Sequence, residues 1–105
     1  MSAPYSHNFV TAKGLSGSTS FLVPSSHIAV VKCCTAFIDN SLFQARVWFE
    51  NGTHDCTFTS FGVSTGVVEA FLWFGSFVIP EGETILVRTE GNPWDVTVSG
   101  YLLTA

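Results

Sequence analysis

Residues 42–50, LFQARVWFE, alternate in hydropathy with a period of two, and Asn51-Gly52 follows at once. In an extended chain Phe43, Ala45, Val47 and Phe49 fall on one face while Gln44, Arg46, Trp48 and Glu50 fall on the other. Asn-Gly tolerates the positive φ values of a type I′ turn, so the pair predicts a tight hairpin. Residues 53–59 are then the returning strand, with His54, Cys56 and Phe58 sharing a side.

The same grammar recurs along the chain. Residues 21–23 stop at Pro24; residues 28–38, IAVVKCCTAFI, read as one long strand in which Lys32 needs a wet face or an acidic partner. Asp39-Asn40-Ser41, Pro80-Glu81-Gly82-Glu83 and Glu90-Gly91-Asn92-Pro93 are turn signals. Residues 84–89 and the run from Trp94 are further strands, the last holding to Thr104, and Gly75 marks a bulge or bend in the run before Pro80. No 3.6-residue apolar period persists over ten residues. The pattern predicts an all-β fold: an antiparallel β-sandwich of jelly-roll-like or related Greek-key topology with seven or eight strands. An immunoglobulin-like sandwich and a closed small barrel are the alternatives; Cys33 and Cys56 flank Trp48, at a spacing short for an antibody-type domain. Residues 1–18, rich in Ser, Gly, Ala and Thr, read as a flexible or partner-bound arm with one short strand at 8–11, and residues 19–105 as a single domain.

Composition narrows the function. Of 105 residues 47% are hydrophobic and only 11% charged, under half the usual quarter, so much of the surface is neutral polar, apolar or covered. The net charge is −4 and the basic residues Lys13, Lys32, Arg46 and Arg88 are scattered, which excludes a phosphate-backbone footprint and with it a nucleic-acid partner. No run of 18 apolar residues predicts a membrane helix. The opening MSAPYSHNFVTAKG lacks the layout of a signal peptide, so a reducing compartment and free cysteines are expected, with a bridge from Cys56 to Cys33 or Cys34 as the alternative.

Reactive side chains are sparse. His54 and Cys56, with Cys33 or Cys34, are the one conceivable zinc set, but H-x-C without C-x-x-C is a weak signal and no metal or cofactor is expected. No nucleophile, base and orienting acid can be assembled, so the chain is not expected to be an enzyme.

The least polar stretch is VVEAFLWFGSFVIP, residues 67–80, with Glu69 its only charge. A strand apolar at both parities must be covered on both sides, whereas a two-layer sandwich covers one. A protein interface is therefore expected, with Trp48, Phe71, Leu72, Trp73, Phe74, Phe77 and Tyr101 as its candidate residues and a second copy of the chain as the first partner. A second reading places Trp48, Trp94 and Tyr101 as sugar-stacking rings beside Asn51, Asn92 and Asp95, making carbohydrate the alternative partner.

Residues 77–105, FVIPEGETILVRTEGNPWDVTVSGYLLTA, resemble small all-β structural proteins of tailed bacteriophages, in which a V-I-P-x-G-E turn leads through one strand to a closing W-x-V-x-V-S-G-Y-L-L strand. The resemblance implies a capsid decoration, connector or tail component located in the virion, with other virion proteins as further partners and no catalytic or cofactor residue. By position it assigns Pro80 and Gly82 to the turn and Trp94, Val96 and Val98 to sandwich packing. Gly100 would let Tyr101 approach a neighbouring strand.

Overall fold

The computed structural model describes residues 7–38, 44–64 and 68–104. Among them are eight strands: β1 (His7–Leu15), β2 (Ser18–Leu22), β3 (His27–Ile38), β4 (Ala45–Asn51), β5 (Cys56–Val63), β6 (Glu69–Ile79), β7 (Thr84–Glu90) and β8 (Trp94–Thr104). They form two four-stranded sheets, sheet I in the order β1-β8-β3-β6 and sheet II in the order β2-β7-β4-β5, with every pair antiparallel. Each strand of the first half pairs with one of the second: β4 with β5, β3 with β6, β2 with β7, β1 with β8. The chain is one long hairpin whose tip is β4–β5, rolled up so that β8 also docks on β3 and β7 on β4. This is jelly-roll order, and the expected sandwich is the one observed. The expected turn at Asp39-Asn40-Ser41, and Leu42, Phe43 and Val67, lie outside the described residues.

The alternation places the core. Ala29, Val31, Cys34, Ala36 and Ile38 of β3, Ile79 of β6 and Trp94, Val96 and Val98 of β8 meet Val47 and Phe49 of β4 and Ile85 and Val87 of β7. All are buried, and removal of this apolar area from water is the main favourable term in folding. Part of the segment expected as an arm belongs to this core. β1 is nine residues long, lies along β8, and buries Phe9 and Val10. Its Asn8, Thr11, Lys13 and Gly14 obscure the strand because β1 is an edge that shows water its polar residues.

Inward parity in β3 switches at Lys32, where the register breaks against both β6 and β8. Lys32 thereby faces outward, its Nζ 3.4 Å from Ser76 Oγ, which is the wet face its charge required. The break also explains Gly100: a Cβ there would overlap the Val30 carbonyl oxygen, so the glycine itself admits the β3 backbone. On β6 the Trp73 ring lies where a Gly75 Cβ would stand, and the ladder irregularity falls opposite Gly75 and Ser76.

At the tip the expected hairpin forms, but with a longer loop than expected. Asn51 ends β4, paired to Cys56, and the loop is Gly52 to Asp55 rather than a two-residue turn; the positive φ, 50°, sits at Asp55. Gly52 is needed for close packing, since a Cβ would stand 2.8 Å from Thr84 Oγ1 and 2.9 Å from Leu86 Cβ. The Asn51 side chain is spent on contacts. Its Oδ1 accepts from the Thr53 N–H at 3.1 Å, and its Nδ2 donates to Glu83 Oε1 at 2.7 Å. Glu83 Oε2 meets His54 Nε2 at 3.0 Å, so one carboxylate ties the β4–β5 loop to the β6–β7 turn.

The Asn51 hydrogen bond, then the one from His54, hold the Glu83 carboxyl below its ordinary range. A depressed carboxyl contributes stability that is complete above its unfolded pKa and is lost as pH falls through the folded one. Thermal midpoints measured from neutral to acid pH should therefore fall less steeply for Glu83→Gln than for the wild type, with the two curves converging at the acid end. Parallel curves would remove Glu83 as a pin.

Candidate interaction surface

The two sheets share a core but differ on their outer faces. Sheet II is mainly polar outside, apart from the exposed Leu22 at the end of β2. Trp48 is half-buried beneath two guanidinium groups, Arg88 Cζ 4.7 Å and Arg46 Cζ 5.5 Å from its ring centre. Glu50, 3% exposed, accepts from Arg88 Nε and Nη2, both at 2.9 Å. A buried carboxylate is tolerable only with such a partner, and the plate leaves little of Trp48 to offer a ligand.

Sheet I is apolar outside as well as inside. Leu72, Phe74 and Val78 of β6 are 56%, 59% and 58% exposed, Phe37 and Leu103 are also exposed, and Ile28, Val30 and Tyr101 are half-buried beside them. Register lines them up: Val78 lies beside Val30 and Val30 beside Tyr101, Phe74 beside Cys33, and Leu72 beside Thr35. A trough of about 400 Å³ crosses the face over Ala36 and Val96, between the Thr11, Thr97, Thr35 and Leu72 row and Asp95, Phe37 and Ala70, with Lys13 at one end. A second recess, about 530 Å³ and polar, lies by Arg46, Glu69 and Glu90. Contiguous exposed apolar area of this kind marks interaction sites on soluble domains.

The candidate interface residues divide by parity. Leu72 and Phe74 face outward, as does Tyr101. Phe71, Trp73 and Phe77 face inward yet are only half-buried, because they line the open side of the sandwich where β6 sits over β5. There Phe71 stacks on Phe61 at 4.8 Å and 11°, and Phe58 lies 4.7 Å from Phe77 and 5.7 Å from Trp73. Trp48 is on the other sheet, apart from the rest. Parity within each strand was readable from the sequence; that β5 and β6 are both edges on one side of the sandwich was not, since it follows from pairing between distant strands.

The sugar-stacking set is not brought together. Trp94 is fully buried and cannot stack on a ligand: it opens β8 facing inward, packed 6.1 Å from Phe71. Its Nε1–H is buried with no hydrogen-bond partner among the described residues, a cost of about 1–3 kcal/mol. Trp48 and Tyr101 lie on opposite faces. The zinc set fails as well. His54 sits in a loop, Cys33 on the outer face of sheet I, Cys34 in the core and Cys56 at the rim of sheet II, and no group of three or more His, Cys, Asp or Glu is gathered among the described residues. All three cysteines are free, and burial, with the neighbouring Cys33 second, pushes the Cys34 thiol up, leaving it inert. No helix among the described residues is long and apolar enough to cross a membrane.

No protein-family model matches the chain, and no curated protein does. Among solved structures it is similar to the NLP core of Drosophila, a protein whose structure has been described in terms of pentamer formation and histone binding. The TM-score is 0.55 at 14% identity over 90% of this chain and 95% of that one. At that identity the likeness establishes a shared sandwich fold. A mutant of CBM29-2, a family 29 carbohydrate-binding module, overlaps more loosely, with a TM-score of 0.37 at 15% identity over 89% of this chain and 65% of the other.

The parity assignment separates two substitutions of one residue type. Phe71→Asp puts a carboxylate against Phe61 and Trp94 and should yield insoluble chain. Phe74→Asp should give soluble protein with a native circular dichroism spectrum. Soluble, folded Phe71→Asp would contradict the inward placement.

Proposed function

We propose that this chain is a structural assembly subunit that associates with copies of itself through β6 and the outer face of sheet I. The observation that carries the reading is the row Leu72, Phe74 and Val78, more than half exposed along a strand whose other parity already packs against the core. A free monomer showing that surface would be prone to aggregate, and a neighbour of the same kind removes the liability. The Drosophila protein of similar fold, described in terms of pentamer formation, gives an oligomeric precedent for this architecture. The finer reading, from the likeness of residues 77–105 to phage structural proteins, is that the assembly is a tailed-phage virion, with this chain a capsid or tail component touching other virion proteins. A carbohydrate-recognition role loses its residue set with Trp94 in the core and Trp48 under two arginines.

Sedimentation or light scattering over a concentration series checks the reading. The protein should be a multimer at micromolar concentration, and sulfate should strengthen association, as expected for apolar burial. A single 11.4 kDa species at every concentration would overturn self-assembly. Mass spectrometry of purified particles checks the virion: finding the chain there supports the finer reading, and its absence confines the proposal to a different assembly.

A further inference from the structure

Four strands are edges: β1, β2, β5 and β6. Three of them carry features that keep an edge from pairing with another chain. β2 has only five residues. β1 shifts register twice against β8 and bears Lys13. β5 shifts register against β4 beside Phe58 and is rich in Thr and Ser. β6 is open by comparison: it runs eleven residues, its only charge is Glu69 at the first position, no proline occurs before Pro80, its one register shift against β3 falls at Gly75 and Ser76, and its in-out alternation is unbroken from Ala70 to Ile79.

We infer that β6 pairs antiparallel with β6 of a second copy about a two-fold axis at Gly75, joining the two copies of sheet I into one eight-stranded sheet. The inference rests on the self-assembly reading. Directly opposed residues in an antiparallel pair lie on the same face, so the axis passes through a residue rather than between two. With Gly75 there, Trp73 faces Phe77 of the second copy, Leu72 faces Val78, Phe71 faces Ile79, and the axis residue brings no side chain of its own, leaving room for the Trp73 ring that lies over it. The sequence F-L-W-F-G-S-F-V-I is complementary to itself about that glycine, Phe74 opposite Ser76 being the one mixed pair. An edge contact also reaches both parities at once, the exposed Leu72 and Val78 outside and the half-buried Phe71, Trp73 and Phe77 inside, which a contact on the outer face alone does not. Nine residues of strand make an edge about 30 Å long, and the molecule's shortest dimension is 19 Å. The side wall is then about 600 Å² per copy, close to the ~800 Å² per partner of a standard interface.

The register is tested by charge. Residues 72 and 78 of one chain lie about 20 Å apart along the strand, too far to pair within a copy, but adjacent across the axis. Leu72→Lys/Val78→Glu places opposite charges together twice, and Leu72→Lys/Val78→Lys places like charges together. Both sites are more than half exposed, so both variants should fold, as circular dichroism would show. The Lys/Glu protein should dimerise at least about tenfold more tightly than the Lys/Lys protein. Equal dissociation constants with a self-associating wild type would overturn the two-fold pairing and leave self-assembly standing. A wild type that stays single at all concentrations, whether it is left alone or captures a strand of some other protein, would overturn both. If either variant fails to fold, mixed isotope-labelled wild type reads the same contact: nuclear Overhauser effects between Leu72 and Val78 methyls across copies support it, and their absence in a demonstrated dimer refutes it.

Discussion

The constraint behind this molecule is that a sheet edge satisfies only half of its strand. β6 hydrogen-bonds to β3 on one side, and among the described residues no strand pairs on the other. Its inward aromatics fill the gap over β5, and its outward residues extend the apolar face of sheet I. The rolled-hairpin topology puts this strand at the rim because β6 must pair with β3, and β3 already has β8 on its other flank. An interior position would have hidden the inward aromatics, though not the outward row, since Phe37 and Leu103 of the interior strands β3 and β8 are exposed too. The rim position shows both parities.

Charge placement reinforces the asymmetry. Arg46, Arg88 and Glu50 are drawn to sheet II, where they wrap Trp48 and satisfy one another. Lys32 is the cation set into the middle of the sheet I face, admitted by a break in β3 and directed toward Ser76. Sheet I carries charges as well, but Lys13, Glu69 and Asp95 lie on the edge strand β1 or at strand starts, which leaves Leu72, Phe74 and Val78 for contact, and burial of that row is what connects a stable sandwich to a role in assembly. The end loops serve the sandwich. Glu83, Asn51 and His54 lock the tip of the hairpin, and the Val23 N–H donates to the Glu83 carbonyl at 2.9 Å while the Gly82 N–H donates to the Val23 carbonyl at 3.0 Å.

Local features were legible in the sequence and long-range ones were not. The period-two runs at 45–50, 84–89 and from Trp94 became β4, β7 and β8, and the Pro80 turn formed with Gly82 at φ 77° and a 3.3 Å hydrogen bond from the Glu83 N–H to the Pro80 carbonyl. Most of β1 reads as an arm in the sequence because a polar edge strand and a loop share a composition. Asn51-Gly52 suited a turn type it does not form, because Asn51 is engaged by Thr53 and Glu83 and Gly52 is pressed against Thr84 and Leu86. Trp94, an aromatic ring just after a turn, reads as a ligand platform, although Val96 and Val98 of the same parity mark its side as the core. For the surface, the sequence showed that residues 67–80 exceeded what one sandwich covers; that the excess lies along an edge depended on which distant strands pair.

Residue-resolved amide hydrogen exchange along β6 tests the central claim most directly. In a lone protomer alternate amides of an edge strand point to solvent and exchange freely, while those directed at β3 are protected. If β6 is closed by another copy, consecutive amides from Phe71 to Ile79 should become protected as concentration rises through the dimerisation range. Alternate protection that does not change with concentration would contradict the account.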